Sequence, residues 1–152
     1  MSVDALFDPE KLSIVDFRYV QGRIDMPEYF ALEHLESYKV DSGVELSFSL
    51  EDRLVKSVFD IRIQTDSLGK NPSEGEASFR FTFIYHVDNL TELVATQGEA
   101  ILEANKLLVS AISAITYSTC RGILLTRLQG TALEKFILPV VDPKKLQTPK
   151  SE

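Results

Sequence analysis

Four stretches of the chain alternate apolar and polar residues with a period of two, and this alternation limits the fold more than any other feature. Val15, Phe17 and Tyr19 interleave with Asp16 and Arg18, and Val44, Leu46, Phe48 and Leu50 with Glu45, Ser47 and Ser49. Phe59, Ile61 and Ile63 interleave with Asp60, Arg62 and Gln64; Phe79, Phe81, Phe83 and Tyr85 do so with Arg80, Thr82 and His86. Successive side chains of a strand point to opposite faces, so each stretch has one apolar and one wet side. Antiparallel sheets with one solvated face carry this pattern. Asp41-Ser42-Gly43 and residues 67–75, with Gly69, Pro72 and Gly75, read as connections. Residues 51–57 read as a wide turn. Residues 28–40, with Tyr29, Phe30, Leu32 and Leu35, fit a short helix or an irregular strand equally well.

The pattern changes after Asn89. Asp88 or Asn89 can cap a short turn there. Over residues 99–127 apolar side chains recur at three and four, as in Ile101, Ala104, Leu108, Ala111, Ile112 and Ile115, which predicts one long helix. Gly130 supplies its stop signal. Pro139 and Pro143 keep residues 138–143 extended, and residues 147–152 read as a frayed end. A chain of 152 residues suits one domain. The expected fold is α+β: a four-stranded antiparallel sheet followed by one long helix on its apolar face, spanning 12–146 between short tails 1–11 and 147–152.

Residues 107–120 of that helix carry no charge. A helix packed only on its own sheet shows a polar outer face. Here the far side holds small groups, Ser110, Ser113, Ala114, Ser118 and Thr119, which allow a second backbone to approach. Self-association through Ser110, Ser113, Ala114, Tyr117 and Ser118 is the expectation. The alternative is one buried helix whose hydroxyls bond to its own carbonyls.

Charge and motifs exclude several functions. The net charge is −7 with no basic stripe, which disfavours nucleic acid. Residues 1–10 contain Asp4, Asp8 and Glu10 and lack the basic start of a signal peptide; the uncharged run 107–120 is shorter than the roughly 18–20 residues that span a bilayer. The single cysteine, Cys120, has no internal disulfide partner, in keeping with a reducing, cytoplasmic setting. His34 and His86 lie on different elements without metal-ligand spacing, and His86 reads as a solvated strand residue. Cys120 sits within the apolar helix and reads as a buried thiol. Glu33/Glu36 and Glu51/Asp52 read as solvated charge. Phosphate-binding and nucleophile-elbow motifs are absent from the sequence, so no enzyme, cofactor or metal is expected.

The most distinctive stretch runs from Tyr117 through Arg121, Gly122, Arg127 and Gly130-Thr131 to Leu133, Phe136, Leu138-Pro139-Val140 and Asp142. It resembles the end of the long helix and the following crossover in the SecB family of export chaperones. Four antiparallel strands before a long helix follow the same order, over residues 12–146. The resemblance implies a homotetramer, a dimer of dimers with helices between sheets. It implies a holdase that binds non-native polypeptides and delivers them to SecA. Its client groove, between crossover and sheet, maps to Phe136, Ile137, Leu138, Val140 and Val141, with Tyr29, Phe30 and Leu32 as the opposite wall. Asp25 falls near an acidic position that docks SecA, whereas His86 stands where the family has another acid. Only six residues follow Leu146, so the family's second helix and SecA-contacting tail are expected to be missing. Both departures suit a chaperone with a dedicated client, of the toxin–antitoxin kind. A non-chaperone oligomeric adaptor and a hotdog-type thioester enzyme are the competing readings; the enzyme lacks acid–base residues at the helix start.

Overall fold

The computed structural model of the chain describes residues 6–146. The tail 147–152 and residues 1–5 lie outside the described residues. Four long strands, β1 (Leu12–Asp25), β2 (Ser37–Ser49), β3 (Leu54–Asp66) and β4 (Glu76–Val87), form one antiparallel sheet in the order β1-β4-β3-β2. The expected α+β sheet with one long helix is therefore present. A short hairpin follows, β5 (Val94–Gln97) and β6 (Ala100–Ala104), and then the helix α1 (Lys106–Arg127).

Register explains the alternation. Phe81 of β4 stands opposite Phe59 of β3 and Tyr19 of β1, and Phe83 stands opposite Ser57 and Phe17. This shared face is apolar, and α1 lies across it, over β3 with β2 and β4 to either side. Phe59, Phe81, Phe83 and Tyr85 are wholly buried, each worth roughly 1.5–3 kcal/mol of transfer free energy. Within this apolar layer runs one polar chain. The Tyr85 hydroxyl meets Thr116 Oγ1 at 2.8 Å, and Thr116 donates to Ser57 Oγ at 2.9 Å. Burial pushes the Tyr85 phenol up to about 12.

Several expectations need correction. β1 bulges at Val15 and Val20, so Ile14, rather than Val15, takes the position opposite Tyr85; each bulge inserts a residue and shifts the phase. Asp41-Ser42-Gly43 lies inside β2, with Gly43 opposite Asp60. Residues 28–40 form a 3-10 turn at Leu32–His34 and then the start of β2. The β2–β3 turn is tight, with Arg53 at φ 58.

The helix starts at Lys106, not near 99. Ile101 and Ala104 belong to β6. Asn105 decides the boundary: its Oδ1 accepts from the amides of Leu107 (2.9 Å) and Leu108 (3.1 Å), a side-chain cap that satisfies two orphan donors. Gly130, at φ 79, closes the other end in a left-handed conformation suited to glycine. By length and composition the 22-residue α1 could cross a bilayer, but Leu108, Ile112, Thr116, Cys120 and Leu124 are packed into the sheet, as in a core helix.

Replacing Asn105 with Ala removes the cap. The expected loss is about 1 kcal/mol, read as a lower urea midpoint with unchanged slope.

Candidate functional site

After Gly130 the chain turns back along α1 as a strap, residues 131–146. Residues 135–138 of the strap alternate in exposure, and 139–142 are all exposed. Phe136 (5% exposed) and Leu138 (2%) enter the core, while Ile137 (60%) and Val140 (89%) face outward, with Val141 partly so. The sequence placed Phe136 and Leu138 on an accessible wall; the structure makes them anchors, because period-two backbone sends alternate residues inward. Tyr38 at the start of β2 packs edge-on against Phe136, with ring centroids 5.3 Å apart. Burial raises the Tyr38 phenol above its ordinary value, and the charge of Glu134 adds to this.

The helix holds the strap by its backbone. Tyr117 donates its hydroxyl to Pro139 O at 2.7 Å; Arg121 donates Nε to Leu138 O at 2.9 Å and Nη2 to Pro139 O at 3.3 Å. The Arg121 guanidinium also lies 5.2 Å from the Tyr117 ring centroid. A 3-10 turn at Pro143–Lys145, capped by Asp142, ends the strap, and Leu146 O accepts from Val44 N of β2 at 3.3 Å.

The other proposed wall is Tyr29, Phe30 and Leu32. Tyr29 and Leu32 are exposed and Phe30 is half-buried. This segment is pinned from a distance. Ala31 N donates to Asn71 Oδ1 at 2.9 Å, and Asn71 Nδ2 donates back to Ala31 O at 3.2 Å. Asn71 also donates to Ser67 Oγ at 2.8 Å. Ser67 and Thr65 in turn donate to Glu74, whose carboxyl is held below its ordinary value, chiefly by the Ser67 amide. Tyr38, which meets the strap at Phe136, follows this segment in the chain as the second residue of β2.

The remaining predicted residues scatter. Ser113 and Tyr117 are buried inside the subunit, so they do not belong on an exposed helix face; Ser118 is exposed, and Ser110 and Ala114 are half-buried. Asp25, at the end of β1, pairs with Arg23 at 2.6 Å on the outer sheet face. It borders a shallow trough of about 330 Å³ with Arg62 and Glu76, next to one of about 490 Å³ lined by Asp41, Asp60 and Arg80. Both are polar and lie on the face opposite α1, so neither suits an apolar client. His86 is half-buried, with Nδ1 3.1 Å from Asp88. Cys120 is buried, and burial pushes its thiol up to about 12. Among the described residues, no His, Cys, Asp and Glu side chains cluster in a group able to hold a metal.

Sequence reading missed two apolar surfaces. Ile14, Phe17 and Tyr19 stay half open to solvent on the inner face of β1, with Arg127 stacked over Tyr19 at 4.7 Å. The hairpin exposes Ile101 and Leu102. The alternating signal was present for β1; what was not visible is that α1 stops short of that edge.

This architecture, a twisted antiparallel sheet crossed by one helix and a strap, is a SecB-like α+β fold. No protein-family model matches the chain, and no curated protein matches it in sequence. Among solved structures it is similar to the SecB-like chaperone Rv1957 of Mycobacterium tuberculosis, determined in complex with a ChAD peptide from the HigA1 antitoxin Rv1956. The TM-score is 0.61 at 11% identity, over 88% of this chain and 92% of that one. A Streptococcus agalactiae protein of unknown function aligns over 85% of this chain and 97% of that one, at 10% identity and a TM-score of 0.34.

Two outcomes follow from the site. Arg121→Ala removes two charge-assisted bonds to the strap, and limited proteolysis within residues 136–146 is expected to accelerate at least tenfold, with a smaller change in global stability. Glu74 has a depressed folded value, so its stabilisation is complete above its ordinary value of 4.5 and fades as pH falls through the lower folded value. The protection factor of the Ala31 amide, with the intrinsic pH dependence of exchange divided out, is expected to fall on acidification through that range, and Glu74→Gln is expected to flatten the dependence.

Proposed function

We propose that the chain is a SecB-like chaperone that holds non-native polypeptide against the exposed side of the strap. The observation that carries this reading is Ile137, Val140 and Val141: apolar side chains held in water on a backbone that Tyr117 and Arg121 fix in place. An apolar surface that its own core does not absorb marks a binding site, and burial without directional contacts accepts many sequences. Leu32, Phe30 and Tyr29 supply the second wall. Support also comes from the shared fold with a chaperone determined with an antitoxin peptide bound.

The dedicated-client form of this reading is favoured over export. The solved neighbour holds a segment of one partner, and Asp25, the candidate SecA-docking acid, is already paired with Arg23. Self-assembly as a dimer of dimers, a cytoplasmic location and the absence of enzymatic activity belong to the same proposal. A non-chaperone adaptor with this fold is the competing class.

The test is suppression of aggregation. Wild type is expected to delay aggregation of a chemically unfolded reporter at stoichiometric ratio. The double variant Ile137→Asp, Val140→Asp is expected to lose most of that effect while keeping its thermal midpoint, since both sites face solvent. Leu138→Asp serves as the contrast: it places a charge in the core and is expected to cost on the order of 4 kcal/mol of stability. A wild type that leaves aggregation unchanged overturns the chaperone reading. Retention of one defined small protein from a lysate supports a dedicated client, and retention of SecA supports export.

A further inference from the structure

Leu68 and Gly69 lie in the loop between β3 and β4, and the leucine does not suit its backbone. Lys70 N donates to Ser67 O at 3.0 Å, with Leu68 at φ 52 and Gly69 at φ 79 between them. A turn with both central residues left-handed ordinarily carries Asn-Gly. Leucine is disfavoured there because its Cβ crowds the following carbonyl oxygen. No burial offsets that strain, since Leu68 is 69% exposed. An exposed leucine alone is ordinary. One that is also left-handed loses stability twice, in backbone and in hydration, and strain of this kind collects at binding sites.

The turn is fastened to the second wall. Glu36 N donates to Asp66 O at 2.9 Å before the turn, and Lys70 Nζ meets Glu36 Oε1 at 3.2 Å after it. Asn71, only 7% exposed, adds its two hydrogen bonds to Ala31. Leu68 lies between these ties in the chain. The same end of the sheet holds the start of the strap: Tyr38, which meets Phe136, stands opposite Thr65 near the end of β3. The charges of the turn are already engaged. Asp66 Oδ1 accepts from Leu68 N at 3.0 Å, and Glu74 accepts from Ser67 N at 3.0 Å and Ser67 Oγ at 2.8 Å. With Lys70 paired to Glu36, the group left for a partner is the apolar side chain.

We infer that Leu68 is a client-contacting residue, an apolar addition to the wall of Tyr29, Phe30 and Leu32, and that Asn71 is the positioning residue that holds turn and wall together. The occupant is the same non-native polypeptide, which meets Leu68 with an apolar side chain. The inference rests on the chaperone reading above and extends its site to a second segment of the chain.

Binding of a permanently unfolded reporter, reduced, carboxymethylated and labelled with a fluorophore, is read by anisotropy. Asparagine tolerates the left-handed backbone, so Leu68→Asn is expected to raise the urea midpoint while weakening binding at least threefold. Leu68→Met is expected to keep wild-type affinity. Asn71→Ala is expected to weaken binding as well, and the double variant Leu68→Asn, Asn71→Ala to lose less than the two separate losses combined. Opposite signs for stability and affinity distinguish a contact from a purely structural residue. Reporter held equally by wild type and Leu68→Asn, but lost in Ile137→Asp, Val140→Asp, overturns the contact and leaves the chaperone reading standing. A urea midpoint lowered by Leu68→Asn overturns the strain, and independent losses overturn the role of Asn71. A wild type that holds no reporter overturns both readings.

Discussion

Thr116 sets the rotation of the long helix, and most of the surface chemistry depends on that setting. Its hydroxyl bridges Tyr85 on β4 and Ser57 on β3 inside an apolar layer. Leaving such groups without partners costs on the order of 1–3 kcal/mol each, so turning the helix about its axis is opposed by more than lost packing. With Thr116 facing the sheet, Tyr117 and Arg121 are carried to the flank where the strap runs, and Leu107, Ala114 and Leu125 are left outside. A hydrophobic face alone tolerates small rotations; a hydrogen-bonded one does not.

The offset of the helix has a second effect. α1 covers β2, β3 and β4, so the inner residues of β1 are shielded on one side only. Phe17 and Tyr19 pack on Phe83 and Phe81 yet remain partly open. Arg127 reaches across to Tyr19 and gives that edge a cationic cover. β1 is also an edge strand, broken by bulges at Val15 and Val20, and bulges of this kind discourage uncontrolled pairing.

Much of the fold was legible because its signals are local. The phase of Phe79 to Tyr85 in β4 gave the buried face directly, and Gly130 marked where the helix ends. Failures arose where a single side-chain interaction outweighed periodicity. Ile101 and Ala104 keep helical spacing with Leu108, but the Asn105 cap and the Asn105 N–Leu93 O bond of 2.7 Å start the helix later and leave the preceding residues as strand. Val15 has the right period and the wrong face, since a bulge is invisible to pattern counting. Along the strap, the sequence marked an apolar segment but could not divide it into inner and outer residues. Whether Phe136 or Ile137 points inward depends on the phase of an extended strap, and that phase is set by tertiary partners such as Tyr38.

The strap is gripped through peptide oxygens. Tyr117 and Arg121 bind the carbonyls of Leu138 and Pro139, groups that every amino acid supplies. Its mounting is therefore indifferent to what the outward positions carry. Under the proposed function, substitution at 137, 140 or 141 would retune which guests are welcome while the fixture itself stays put, so one scaffold could be refitted for new cargo by exchanging a few exterior side chains.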